Sequence, residues 1–171
     1  MKRLSLLVLI GILIATNACS PIKPDGGFAT TFVIVRHAEK GEDDARDPSL
    51  SEAGKQRAQA LARLLANAPL TAAYATGYRR TQQTAQPVAK SHDIGVMTYN
   101  GQLPAKAFAS MLRASHHGST VLVVGHSNTV PEIVAALSGT AVPAMADDEF
   151  DRIYRIDIKA DGEATLLQDR Y

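Results

Sequence analysis

The chain has 171 residues, 46% of them hydrophobic and 20% charged, with 18 Lys and Arg against 17 Asp and Glu and a formal net charge of +1. That length and balance describe one globular core with a leader, and no basic tail points to a nucleic-acid partner. A single cysteine excludes an internal disulfide framework.

The first stretch, Met1-Lys2-Arg3 followed by an apolar run from Leu4 to Ala15, has the basic start and short hydrophobic region of a secretory signal. It is too short to span a bilayer comfortably. Cys19 follows directly in Ala15-Thr16-Asn17-Ala18-Cys19-Ser20, which resembles a bacterial lipobox whose cysteine is lipidated and becomes the mature N-terminus. Thr16 and Asn17 depart from the usual box, so an ordinary cleavage site with an incidental cysteine stays open. Ser20, where an aspartate marks inner-membrane retention, points to the outer membrane. Residues 1–19 therefore read as signal peptide and lipobox. Residues 20–29, with two prolines and two glycines, read as a flexible tether, and residues 30–171 as the folded domain. The expected location is the cell envelope, reached by export and held by a lipid anchor.

The domain opens on Thr31-Phe32-Val33-Ile34-Val35, a β-branched apolar run that breaks into Arg36-His37-Ala38-Glu39-Lys40. This pattern predicts a buried strand delivering ionisable groups at its carboxyl end, where ligand crevices lie in open α/β sheets. A polar loop leads to Ser51, a helix N-cap, and a helix to about Asn67 with Ala58, Leu61, Ala62 and Leu65 on its inner face, flanked by Leu64 and Ala68. A strand over Leu70 to Ala75 follows, then Thr76-Gly77 turning into a helix with Arg79 and Arg80 near its start, which Pro87 should kink or break. Ile94 to Tyr99 reads as a strand, Pro104 to about Ala114 as a helix, and Thr120 to Val124 as a fully apolar strand. Thr129 and Pro131 start a helix to about Leu137. A loop rich in Pro, Ala and acid, Ser138 to Asp151, precedes a strand over Ile153 to Ile158 and a last short strand near Ala164 to Leu167. This alternation predicts a three-layer α/β/α domain around a mostly parallel sheet.

Two apolar strands end alike, in Arg36-His37 and in Gly125-His126, and if they are neighbours their histidines converge. Between them lies a strand-to-helix junction with Arg79 and Arg80, whose free backbone N–H groups also suit an anion. Two histidines and at least two arginines around a helix N-terminus describe a phosphoryl pocket. His92 and the His116-His117 pair lie at helix ends and are not assigned to it.

The combination of Arg36-His37-Ala38-Glu39, Leu50-Ser51-Glu52-Ala53-Gly54, Arg80-Thr81-x-x-Thr84-Ala85 and Gly125-His126 resembles the histidine phosphatase superfamily, also called phosphoglycerate mutase-like. The resemblance implies that His37 attacks phosphorus to form a phosphohistidine that water hydrolyses, with Arg36, Arg80 and His126 binding the equatorial oxygens. Family register selects Arg80 over Arg79. No metal or other cofactor is implied. Many members carry a glutamate shortly after the third strand as general acid, but here Asn100, Gly101 and Gln102 stand there. Glu39 is the first candidate in its place, ahead of Asp147, Asp148 and Glu149, while Glu132 reads as a residue favouring the dipole of its helix. The lid insert of larger members is missing between the third and fourth strands, so the pocket should be open. A metal-independent phosphohydrolase acting on a small phosphorylated compound or a phosphorylated glycan of the envelope is the leading expectation. A catalytically weak module that binds phosphorylated ligands is the alternative.

Overall fold

The computed structural model describes residues 30–171, so the signal-like segment, Cys19 and the tether lie outside the described residues. Six strands form one sheet in the order β3-β2-β4-β1-β5-β6, where β1 is Thr30–Arg36, β2 Leu70–Thr76, β3 Val96–Tyr99, β4 Thr120–Gly125, β5 Arg152–Ile158 and β6 Ala164–Arg170. The first four strands pair in parallel, β5 runs antiparallel to β1, and β6 returns antiparallel along β5. The mainly parallel sheet between helical layers is thus as expected.

Strand periodicity divides the core. Phe32, Ile34, Tyr74, Val121 and Val123 face helices α3 (Ala105–Ser115) and α4 (Thr129–Ser138), where Phe108, Leu112, Val130, Ile133 and Val134 close one layer. Their alternating neighbours Val33, Val35, Ala73, Ala75, Leu122 and Val124 meet helices α1 (Glu52–Leu64) and α2 (Arg79–Ser91) through Leu61, Ala62, Ala85 and Val88. Burial on both faces explains why β1 and β4 read as unbroken apolar runs.

Several details differ from the sequence reading, and β3 begins at Val96 rather than Ile94. Helix α1 ends at Leu64 rather than near Asn67, because Leu65 turns inward as the C-cap while Leu64 is left 55% exposed. Pro87 sits inside α2 without ending it, since Val88 and Ala89 beyond it are buried and that packing holds the last turn. Strand β6 runs to Arg170 because every residue from Ala164 on has a partner on β5.

The start of α1 is docked on the chain just past His37. Ser51 caps the helix by accepting from the Gly54 N–H at 3.1 Å, and the Ser51 N–H donates to the Glu39 carbonyl at 2.9 Å. A Cβ on Gly54 would lie 2.1 Å from that same carbonyl oxygen. Gly54→Ala therefore costs about 1–3 kcal/mol, the usual price of overpacking, measured as a lower urea midpoint; an unchanged midpoint would show that the Glu39 carbonyl retreats freely.

Candidate active site

Parallel pairing of β1 with β4 sets Arg36 opposite Gly125, so His37 and His126 emerge side by side at the carboxyl edge of the sheet. The His37 N–H donates to the Gly125 carbonyl at 2.9 Å, and the two imidazoles meet edge to face with centroids 5.3 Å apart. Strand β2 lies on the other side of β4 and feeds α2, whose second residue, Arg80, reaches the same place. Arg36, His37, Arg80 and His126 line one cavity of about 500 Å³.

Its geometry fixes the state of His37. Nδ1 lies 2.8 Å from the Ala38 carbonyl, which only accepts, so Nδ1 carries the proton. Nε2 then presents its lone pair and accepts from Arg80 Nε at 3.3 Å. Burial pushes the His37 pKa down to about 3, and the charges of Arg80 and Arg36 reinforce the shift. Burial and the same two arginines hold His126 down at about 4. Both rings are neutral near pH 7. His126 Nε2 is 2.9 Å from Thr76 Oγ1, which in turn contacts Thr81 Oγ1 at 2.8 Å, so a threonine pair orients the ring.

The neighbouring arginines take different places. Arg80 lies over the Tyr78 ring at 4.3 Å and has Asp47 at 3.8 Å, leaving it beside His37. Arg79 turns outward, pairing with Asp43 at 3.2 Å. Arg36 is only 6% exposed, stacks on Phe150 at 4.2 Å, and donates Nη1 to the carbonyls of Ala146 and Glu149 at 2.7 and 3.0 Å. Among the described residues its buried Nε–H has no acceptor. Two arginines with open donors beside two neutral imidazoles form a site for an oxyanion.

Glu39 is not brought into this cavity, which corrects its assignment as the acid. Arg57 grips both its carboxylate oxygens, with Nη2–Oε1 at 2.7 Å and Nε–Oε2 at 2.9 Å. Burial disfavours the Glu39 carboxylate, but the Arg57 bonds outweigh it and lower the pKa, the wrong direction for a proton donor at neutral pH. Glu149 is likewise held, by Arg152 and Arg170. Glu132 borders an adjoining cavity with Gln102 and Asn128, and Asp148 is exposed outside the pocket wall. Among the described residues Asp147 is the carboxylate that lines the pocket, together with Gln102 and Asn128.

Several contributors escaped the sequence reading. Thr84 accepts from the Ala38 N–H at 3.0 Å and donates to the Arg80 carbonyl at 2.7 Å, joining the loop past His37 to α2. Its place in Arg80-Thr81-x-x-Thr84 was the available signal. Tyr78, Phe150, Lys40 and Arg46 had none, since nothing local marks a side chain that meets the site only in the fold. His92 bonds the Leu65 carbonyl and His116 the Tyr74 hydroxyl, both away from the pocket. Among the described residues no three His, Cys, Asp or Glu side chains gather as a metal site.

The model of the histidine phosphatase superfamily (branch 1) matches residues 32–101. The fold is similar to that of the protein histidine phosphatase SixA complexed with tungstate, at 19% identity and a TM-score of 0.65 over 82% of this chain and 96% of that one. A mycobacterial glucosyl-3-phosphoglycerate phosphatase gives 15% identity and 0.65 over 84% and 98%. A phosphoserine phosphatase from Entamoeba histolytica, in complex with 3-phosphoglyceric acid, gives 14% and 0.62 over 83% and 97%. These likenesses are of fold. No curated protein matches the sequence.

The depressed pKa values have a direct readout. An ordinary histidine gains its proton as pH falls from about 8 to about 5, whereas the imidazole carbon resonances of His37 and His126 should stay at their neutral positions throughout. A midpoint near 6.5 for either ring would overturn its burial as the controlling effect. The sign for stability follows: both folded values lie below the unfolded 6.5, so the contribution is full above 6.5 and drains as pH falls toward the folded values.

Proposed function

Because the model of the histidine phosphatase superfamily matches residues 32–101 and the pocket gathers the histidines and arginines described above, we propose that the chain is a phosphohydrolase of that superfamily, which transfers a phosphoryl group first to His37 and then to water. The observation that carries this reading is the tautomer of His37: a proton held on Nδ1 by the Ala38 carbonyl leaves Nε2 unprotonated and facing the cavity beside Arg80. A neutral imidazole becomes a competent nucleophile once Arg80 turns its Nε–H from the Nε2 lone pair to the phosphoryl oxygens, and the low pKa keeps the ring neutral across the physiological range.

In the first step the Nε2 lone pair bonds phosphorus as the bond to the leaving group breaks, and the departing atom takes a proton from Asp147. In the second, Asp147 accepts a proton from water as the water oxygen bonds phosphorus, and the phosphorus–nitrogen bond breaks to release phosphate and restore His37. Arg36, Arg80 and His126 bind the three equatorial oxygens, where charge is spread in the transition state. The two guanidinium groups supply the charge neutralisation for which other phosphatases use a metal, so the reaction proposed is metal-independent. The basic start, the apolar run and Cys19 support an exported, lipid-anchored enzyme, and hence an envelope substrate, either a small phosphorylated compound or a phosphorylated glycan.

Rapid quenching with phosphorus-labelled substrate tests the intermediate: the labelled protein should be acid-labile and base-stable, and labelling that persists in His37→Ala would reject the role of His37. The role of Asp147 is tested by leaving group. Asp147→Asn should lower kcat/KM for an alkyl phosphate by about 10²- to 10⁴-fold, the usual worth of general acid catalysis, and affect a nitrophenyl phosphate far less. Equal losses on both would remove Asp147 from proton transfer.

A further inference from the structure

The charged residues lining the cavity are Arg36, Lys40, Arg46 and Arg80 on one side of the balance and Asp147 on the other. A phosphoryl dianion is matched by Arg36 and Arg80, which sit against the nucleophile. Lys40 and Arg46 are left over. Neither has a carboxylate within salt-bridge distance among the described residues, while the nearby Arg57, Arg79 and Arg80 are paired with Glu39, Asp43 and Asp47.

The loop that carries them is built to hold them there. Lys40 bridges to Leu50, and the Gly41 N–H donates to the Ser49 carbonyl at 2.7 Å, closing the loop at its base. Asp44 Oδ1 accepts from the N–H groups of Arg46 and Asp47 at 2.8 and 3.0 Å, and Asp43 Oδ1 accepts from the Ser49 N–H at 2.8 Å. Asp47 Oδ1 accepts from the Arg79 N–H at 2.9 Å, tying the loop tip to the start of α2. These three aspartates are thus engaged by the loop and by α2, and do not neutralise Arg46. A loop whose three aspartates are engaged by its own backbone and by the arginines of α2, with two unpaired cations on the pocket wall, is arranged for a second negative group.

We propose that Lys40 and Arg46 form a second anion subsite, so that the preferred substrates carry a carboxylate or another phosphate close to the phosphoryl group that is removed. The assignment rests on the phosphatase reading of the pocket and names its substrate class. An exposed ion pair contributes up to about fivefold in affinity, so two together give on the order of tenfold.

The test uses three substrates of matched size: glycerol 3-phosphate with no second anion, 3-phosphoglycerate with a carboxylate, and 1,3-propanediol bisphosphate with a second phosphate. In the unmodified protein kcat/KM for one or both of the last two should exceed that for the first by about tenfold, chiefly through KM, and the ratio should fall toward one in the double variant Lys40→Met, Arg46→Gln. Preference for both compounds assigns a general anion subsite, and preference for one identifies its partner as carboxylate or phosphate. A ratio near one in the unmodified protein, or a ratio kept in the double variant, overturns the proposal. If none of the three is turned over, calorimetric Kd values for the same compounds decide. A binding preference that disappears in the double variant supports the subsite while the phosphatase reading fails, and its absence sinks both.

Discussion

The register of β1 on β4 is the constraint from which the pocket follows. With Phe32 opposite Val121 and Arg36 opposite Gly125, each strand sends alternate side chains to the same helical layers and both strands end level. A slip of one residue would exchange the two faces of β1, placing Val33 and Val35 among the larger side chains around Phe108 and separating the histidines. Gly125 enforces the close approach at the end of β4, since a Cβ there would meet Thr129 Oγ1 at 2.9 Å and the Tyr99 hydroxyl at 3.2 Å. The active-site pair is therefore a product of core packing as much as of local chemistry.

Burial then sets the charge of the site. Neutral histidines and arginines that stay protonated leave the cavity electropositive, because most nearby carboxylates are committed elsewhere. Glu39 is bound by Arg57, whose Nη1 also donates to the Tyr171 carbonyl at 3.0 Å, and this pair braces the chain just past His37. Glu149 is held by Arg152, whose Nη1 also donates to the Pro143 carbonyl at 3.1 Å, so the loop of residues 139–151 is anchored from behind. Arg36 donates to that loop from the pocket side. It therefore has two roles, lining the cavity and fixing the loop that carries Asp147, and substitutions at Arg36 report on both.

The strands, helices and the two strand-end histidines were legible because their signals are local. Apolar runs broken by Arg36-His37 and Gly125-His126 mark strand ends, and the helical spacing of Leu61, Leu65 and Val88 marks inner faces. The parallel neighbourhood of β1 and β4 needed the family resemblance or the structure, since spacing along the chain does not fix strand order. The orientation of carboxylates was not legible at all. Glu39 stands two residues from His37 in sequence, yet the Gly54 contact and Arg57 turn it away, while Asp147 reaches the pocket from a loop more than half the chain distant. Arg79 and Arg80 were separable because adjacent helix positions diverge by about 100°, and the choice of Arg80, which lines the cavity, came from family register rather than from the residues alone.

In the proposed reaction, the openness of the cavity bears on the fate of a phosphoryl group on His37. A mutase must keep the phosphoenzyme from water while substrate reorients, which requires a covering element and a proton donor held inside. Here β3 and β4 are joined through the single helix α3, and the wall that faces His37 from that connection consists of Gly101 and Gln102. Gln102 offers an amide, which neither gives nor takes a proton in such chemistry. The carboxylate that does line the pocket, Asp147, is exposed at its mouth, where water has access. Under the proposed reaction, water is therefore the acceptor that this architecture favours, and the same openness would leave space for the rest of a larger substrate to extend past Lys40 and Arg46.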